Sequence, residues 1–557
     1  MAHAAKLVNF QVAQPPIVPK DAKTCTVKIL QRDFASSYGS PEIVQYTPPS
    51  DCGQAGSWSA VTLNFTVTSN GTQYDRLGIF TFQNVEIWRT STPEPTKGDG
   101  IIWTHVKDVT QYTPLFAKPG TFILQLDNIV QTGLDGVYST VLYATFYASS
   151  TAHPPAPKAD LILPISNLKN DTGNDVSVPP SFSLNVTFPQ NTARVFAELY
   201  ASGNGEEEFW YYNSANKYLS SLPDGFLGNG PFREVRLLID GRLAGATYPF
   251  AVLFTGAIVP PSWRPISAYG AIDLPTYFLD VTPFVPVLAD GKPHNITIDV
   301  VSAEDNHAIL QNWYLSGNFQ VFLDESSKPT TGEITNYAAD PYSKTNVAGV
   351  TKGSDVTITV GATRKLLIES TIVSGSGKVN KVVFSQDLTY KNVQVFLNNF
   401  GTQNVVQTAS GVVSSTHNGV SALQDTFLYP LTINYTNLDS SGNSWRTNFN
   451  HSYVREVKPL PISLKTKIDS QQQASGYFFL SSSGNTGNGT NSNVFSYSDE
   501  GNNTYRRRVN ASLNKITLDD VAGTLSSSAI PITPSGSVDA SDPPNARLPP
   551  GRQIPGS

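Results

Sequence analysis

Three acidic positions in this chain combine residue type and neighbours in a way that suits proton transfer. The segment Gln73-Tyr74-Asp75-Arg76-Leu77-Gly78-Ile79-Phe80-Thr81-Phe82 sets an acid beside a base at the mouth of an alternating strand. Successive strand side chains face opposite ways, so Asp75 and Arg76 do not simply pair with each other: one can enter a cleft while the other braces the sheet. In Gly203-Asn204-Gly205-Glu206-Glu207-Glu208-Phe209-Trp210 three like charges repel, which ordinarily marks a solvated loop. Phe209 and Trp210 follow at once, however, and pull Glu208 toward a buried rim, where a carboxylate can serve as general acid or base. Asp127, in Leu124-Gln125-Leu126-Asp127-Asn128, alternates with apolar residues. Taken singly, each acid is more often a structural residue than a catalytic one.

Other chemistries find less support. Seven histidines are scattered without His-x-x-x-His or Cys-x-x-Cys spacing, so no metal site is expected. There is no Gly-x-Ser-x-Gly elbow and no phosphate loop, and no cofactor is called for. Cys25 and Cys52 form an even pair that can close one loop, which disfavours a thiol nucleophile.

The elements that must position these acids read as strands. Ala60–Val67, Val137–Tyr147, Phe182–Phe188 and Gln320–Leu323 alternate with period two, one face dry and one wet. Helical periodicity is nearly absent, with short helical turns expected only near Thr113-Pro114-Leu115-Phe116 and Thr282-Pro283-Phe284-Val285. The Pro-rich bridge Ser149–Pro157 cannot sit mid-sheet. A second break falls near Ser326–Gly332. These boundaries give units at 1–157, 158–328 and 329–533, with a flexible tail at 534–557. The first two are expected to be eight-stranded jelly-roll sandwiches and the third a further β-rich domain. Ser481–Gly489 and Arg506-Arg507-Arg508 are both expected in loops.

Composition narrows the function. Charged residues are 15% and the formal charge is −6, with no basic face for nucleic acid. No run approaches the ~20 apolar residues of a membrane span. No signal peptide is present, and Met1-Ala2-His3 reads as an added start on a mature protein. Ten sequons, at Asn64, Asn70, Asn170, Asn185, Asn295, Asn434, Asn450, Asn488, Asn502 and Asn510, favour a secreted glycoprotein; a secretory-pathway or vacuolar setting and a monomer are the accompanying expectations. Trp88, Trp210 and Trp263 are candidate platforms for stacking on sugar faces; packing between sheets is an equally good reading for each.

Several motifs resemble the plant and fungal peptide:N-glycanase A family. They are Gln73–Arg76, Trp88–Thr96, Ser50-Asp51-Cys52, Trp103–Thr110 and Gly205–Trp210, then Pro231–Val235, Asp240–Gly245, Pro249–Gly256, Leu274–Tyr277 and Asp280–Phe284. The likeness covers roughly residues 8–328 and is loose beyond 330. It implies an amidase that cuts the β-aspartylglucosylamine bond of N-glycopeptides or denatured N-glycoproteins, turning Asn to Asp and releasing the glycan as glycosylamine.

The bacterial peptide:N-glycanase F, a distant relative, has paired jelly rolls with an acidic cleft between them. Its acidic-aromatic-Asp-Arg motif resembles the surroundings of Asp75-Arg76. Its acid-then-aromatic motif resembles Glu208-Phe209, without the flanking cysteines, so Glu206 and Glu207 stay alternatives. Asp127 falls where that enzyme carries Glu. The resemblance thus implies catalytic Asp75, Glu208 and Asp127. Arg76 is expected to stabilise charge at the cleft, and because carboxylates crowded in one cleft raise at least one pKa, an acidic optimum is expected. A lectin-like sandwich, a glycosidase with paired carboxylates and a jelly-roll shell protein are the competing readings.

Overall fold

The computed structural model of the chain describes residues 6–482, 484–529, 546–549 and 551. The first nine strands are β1 (Leu7–Asn9), β2 (Thr24–Phe34), β3 (Glu42–Tyr46), β4 (Ala60–Ser69), β5 (Leu77–Phe82), β6 (Val85–Ser91), β7 (Ile101–Asp108), β8 (Gly120–Leu126) and β9 (Tyr138–Tyr147). They form a sheet of order β1-β7-β4-β9-β2 and a second of order β3-β8-β5-β6. Leaving aside β1, which adds in parallel to β7, eight strands are shared four and four between the sheets in jelly-roll order, with β5 and β6 a hairpin within one sheet. The alternating text of β4 and β9 sends Leu63, Phe65, Leu142 and Phe146 inward, all fully buried. Cys25 and Cys52 are disulfide-bonded, tying β2 to the loop after β3.

The same order recurs with β10 (Leu161–Ile165), β11 (Val176–Val178), β12 (Phe182–Thr187), β13 (Thr192–Gly203), β14 (Glu234–Ile239), β15 (Arg242–Thr247), β16 (Tyr277–Asp280), β17 (Pro293–Val301) and β18 (Trp313–Leu323). Its sheets run β10-β18-β13-β16, with β11 on β18, and β12-β17-β14-β15. The expected helical turns occupy equivalent places in the two sandwiches, at Thr113–Phe116 and Val285–Leu288, each just before a strand.

Buried polar groups clamp the sandwiches together. Arg89 of β6 pairs with Glu86 (Nη2–Oε2 2.7 Å) and donates to Ser202 Oγ (2.9 Å) and the Tyr314 carbonyl (2.6 Å) of the second sandwich. Glu198 of β13 accepts from Tyr112 Oη (2.6 Å), Thr276 Oγ1 (2.9 Å) and Asn318 Nδ2 (3.1 Å). In a low dielectric such satisfied networks fix one relative placement.

The third region is one antiparallel sheet of eleven strands, from Thr331–Ala339 to Lys515–Ala522, rather than a body with two layers. Its longest strands, Asp355–Val373 and Val379–Leu397, have 19 residues each and alternate buried with half-buried or exposed along their length. The buried face shares one hydrophobic cluster with the second sandwich, whereas the first sandwich has its own. A lone sheet has nowhere else to bury its apolar face.

Two sequence expectations fail here. Arg506-Arg507-Arg508 lie in the strand Thr504–Ser512, where Arg507 is buried against Asp519 (Nε–Oδ1 2.9 Å). The Ser481–Gly489 loop ends early, since a strand begins at Thr486. Alternation hidden by Gly, Ser and Asn outweighs their turn preference once a neighbouring strand pairs with them. None of the ten sequon asparagines is buried. No helix among the described residues is long and apolar enough to cross a membrane. Of the tail, residues 534–545, 550 and 552–557 lie outside the described residues.

Candidate active site

Asp75 sits in the loop entering β5, Asp127 one residue beyond β8 and Glu208 after the short 3-10 turn Gly205–Glu207. All three line one cavity of about 160 Å³ between the sandwiches. Arg76, Ser91, Gln125 and Tyr38 share the wall from the first sandwich; Asn204, Gly205, Phe254 and Tyr314 share it from the second. Buried oxygens of Asp75 (Oδ1), Asp127 (Oδ1) and Glu208 (Oε1) have no hydrogen-bond partner within the protein. Buried acceptors are nearly always satisfied, so several orphans at one place mark it as functional.

The three consecutive glutamates separate cleanly. Glu206 is exposed. Glu207 is fully buried on Arg233 (Oε1–Nη2 2.7 Å) and accepts from Trp313 Nε1 (2.7 Å) and Leu310 N (2.8 Å). Glu208 is left facing the cavity. Burial pushes the Glu208 carboxyl up, opposed by the Arg547 guanidinium and reinforced by Asp75. Burial likewise raises Asp127, which is held by Gln125 Nε2 (3.1 Å).

Arg76 turns from Asp75 toward neutral partners: Gln73 Oε1 (2.6 Å), Asn128 Oδ1 (3.2 Å) and Tyr38 Oη (3.2 Å). The three tryptophans do not reach the cavity. Trp88 is fully buried and stacked on Phe80 at 4.8 Å. Trp210 packs on Trp313 at 6.0 Å, and Trp263 on Phe449 at 4.8 Å. Sheet and sandwich interfaces need large apolar volume, and that need takes all three; the aromatic groups on the cavity wall are Tyr38, Phe254 and Tyr314.

Two site groups have no chemical signal of their own in the sequence: Glu94 lies inside the Trp88–Thr96 motif and Arg547 in the C-terminal tail. Glu94, between two prolines after β6, is fully buried behind Asp75. Burial drives its carboxyl well up against the pull of Arg264, and Asp75 adds to the rise. Arg264 Nη2 also donates to the Glu94 and Pro95 carbonyls, both at 3.2 Å. Arg547 pairs with Glu208 (Nη1–Oε2 2.9 Å) and donates from Nη2 to the Asp75 carbonyl (3.0 Å).

The third sheet holds the loops that carry these groups. Its buried polar side chains donate to backbone carbonyls of the 248–276 loop: His451 to Ala251 (2.8 Å), Trp445 to Ile258 (2.9 Å), Asn491 to Ser262 (2.8 Å) and Arg455 to Thr276 (2.8 Å). Asn392 and Gln394 hold the Tyr211 and Asn213 carbonyls (3.0 and 2.9 Å), just beyond Glu208. The buried carbonyls of an irregular loop, which has no ladder partners of its own, are satisfied in this way. Burial holds His451 down at about 4, so it stays a neutral donor.

Gly256, on that loop, lacks the atom that would collide. A Cβ there would come within 2.7 Å of both Asp75 Oδ1 and Glu94 Oε1. Gly256→Ala is therefore expected to displace Asp75. Misplacement of a reacting group by about 1 Å costs up to ~10²-fold in rate. Turnover on a glycopeptide, with thermal unfolding as the fold control, measures it; unchanged turnover would remove this loop from the site.

Fold and site together define the class: an all-β protein whose tandem sandwiches enclose carboxyl groups suited to acid–base hydrolysis. The family described as peptide N-acetyl-beta-D-glucosaminyl asparaginase amidase A matches residues 15–340, and its C-terminal domain matches residues 357–431. The chain is 36% identical over 406 residues to peptide-N4-(N-acetyl-beta-glucosaminyl)asparagine amidase A of Prunus dulcis, covering 70% of this chain and 69% of that one. The chain belongs to this amidase family. Among solved structures it is similar to PNGase F, a glycosylasparaginase from Flavobacterium meningosepticum (14% identity, 55% of this chain and 97% of that one, TM-score 0.34). It is also similar to PNGF-II (14% identity, 54% of this chain and 66% of that one, TM-score 0.35).

Proposed function

We propose that this protein hydrolyses the amide bond joining an N-linked glycan to the asparagine side chain of a glycopeptide. The convergence of Asp75, Asp127 and Glu208 on one interdomain cavity is the observation that carries this reading. Asp75 takes a proton from water as the oxygen attacks the side-chain amide carbon. The carbon–nitrogen bond then breaks, the nitrogen receives a proton, and the products are an aspartate peptide and the glycosylamine. Glu208 and Asp127, whose carboxyls burial raises, hold the first sugar and supply that proton. At about 160 Å³ the cavity is smaller than the ~300–1,000 Å³ of a usual ligand pocket, which suits the linkage and its first sugar better than a whole glycan. Exposed or half-buried sequons and the disulfide support a secreted or vacuolar setting.

Incubation with an N-glycopeptide in oxygen-18 water tests the reading. The peptide should emerge with aspartate carrying the heavy oxygen; an unchanged substrate would leave a lectin, and asparagine still bearing a sugar would leave a glycosidase. The same assay across pH should peak on the acid side of neutrality. A proton-donating carboxyl works only while protonated, so the rate falls as pH rises through its raised pKa. A maximum well above neutrality would remove the carboxyl as donor.

A further inference from the structure

The geometry points to Arg547, from the C-terminal segment, as a positioning residue of the active site that bridges Asp75 and Glu208 and holds the two side chains in one fixed arrangement. This inference rests on the proposed hydrolysis.

The segment that delivers Arg547 is seated. Arg547 pairs in parallel with Ala257, donating its N–H to the Gly256 carbonyl (3.2 Å) and accepting from Ile258 N (2.8 Å). Ala546 and Pro549, on either side, are buried. The side chain is thereby directed into the cavity wall, where it is 31% exposed. Its guanidinium lies with Nη1 2.9 Å from Glu208 Oε2, Nη2 3.0 Å from the Asp75 carbonyl and Nε 3.4 Å from Asp75 Oδ1, over the Tyr74 ring at 5.6 Å.

No other cation among the described residues is placed to do this. Arg76 is spent on Gln73, Asn128 and Tyr38. Of the three acids, Arg264 pairs with Glu94, at 3.5 Å, and spends Nη2 on the Glu94 and Pro95 carbonyls besides. Asp75, Glu94 and Glu208 would otherwise crowd one low-dielectric pocket, and like charges there force protons onto carboxyls. A planar guanidinium can span two carboxylates at fixed angles, which a lysine ammonium cannot. The groups facing Glu208 are Asp75, Arg547 and Tyr211, with Glu94 behind Asp75. Removing the one cation from this set pushes the Glu208 carboxyl further up, so the alkaline limb of the rate profile, which a proton donor sets, moves to higher pH.

The test uses Arg547→Ala and Arg547→Lys in the full chain, with thermal unfolding as the fold control. For Arg547→Ala, kcat should fall about 10²-fold, as for loss of one preorganised charge, with a smaller change in KM. Its alkaline limb should move up, millimolar guanidinium should restore part of the rate, and Arg547→Lys should fall between. Carbon-13 titration of Glu208 reads the same charge without turnover, so it judges Arg547 even if wild type releases no glycan and the proposed function itself fails. A Glu208 titration unmoved in Arg547→Ala would overturn the inference. So would unchanged turnover, or a rate that rises with a lower KM, which would make Arg547 an occupant that substrate must displace.

Discussion

Asp75→Asn should leave the protein folded and abolish release of glycan from a glycopeptide. The substitution keeps the shape of a side chain that is 3% exposed, so packing against the Gly256 loop is preserved. What it removes is basicity: an amide does not accept the proton that water must lose as it attacks. General base catalysis is worth roughly 10²–10⁴-fold, and an amide is a poor electrophile that leaves little reaction without it. The lost charge also loosens Arg547, which keeps Glu208 as a partner at 2.9 Å, so the stability change should be small beside the rate change. Product mass and thermal unfolding together measure the two effects. Near-normal turnover would take Asp75 out of the mechanism, and a collapse in unfolding temperature would make its role structural.

Much of the architecture was legible because it is local. Period-two alternation marks β4, β9, β12 and β18 directly, and the Pro-rich stretch before β10 stands where a strand cannot. Asp75, Asp127 and Glu208 could be singled out because each adjoins a strand or an aromatic pair, and the structure brings all three to one cavity. The rest depends on which surfaces meet. Trp88, Trp210 and Trp263 carry the same text whether they face a sugar or a core, and only the packing of sheet on sandwich decides. The buried face of the third sheet reads as Gln, Asn, His and Trp among apolar residues. Their use, satisfying carbonyls of a loop some 200 residues away in the chain, is invisible until the sheet is folded onto it. Arg547 lies 339 positions from Glu208 and 472 from Asp75, in text that looks like a polar, Pro-rich tail.

Arg233→Met should be among the most destabilising single changes in the molecule, and should silence the site from a distance. Arg233 and Glu207 are both fully buried. Arg233 Nη1 also donates to the carbonyls of Gly230 (2.8 Å), Phe232 (2.6 Å) and Asn229 (3.0 Å), so every direction around the guanidinium is used. Removing one member of a buried pair leaves the other charged and unpaired, at a cost of about 3–5 kcal/mol. Met fills most of the volume, so the loss comes from charge rather than cavity. Glu207→Gln added to Arg233→Met should recover part of it, because the amide carries no charge and its one oxygen still accepts from either Trp313 or Leu310, while its NH2 group faces the other donor. Denaturant midpoints of the two singles and the double measure this; a double less stable than Arg233→Met would show that charge is not the cause. The link to chemistry is that Glu207 and Glu208 are neighbours at the end of one 3-10 turn. With Glu207 fixed inward, Glu208 is turned to the cavity and Glu206 to solvent. The double should therefore regain stability before it regains turnover, since the glutamine no longer grips an arginine that sets the turn.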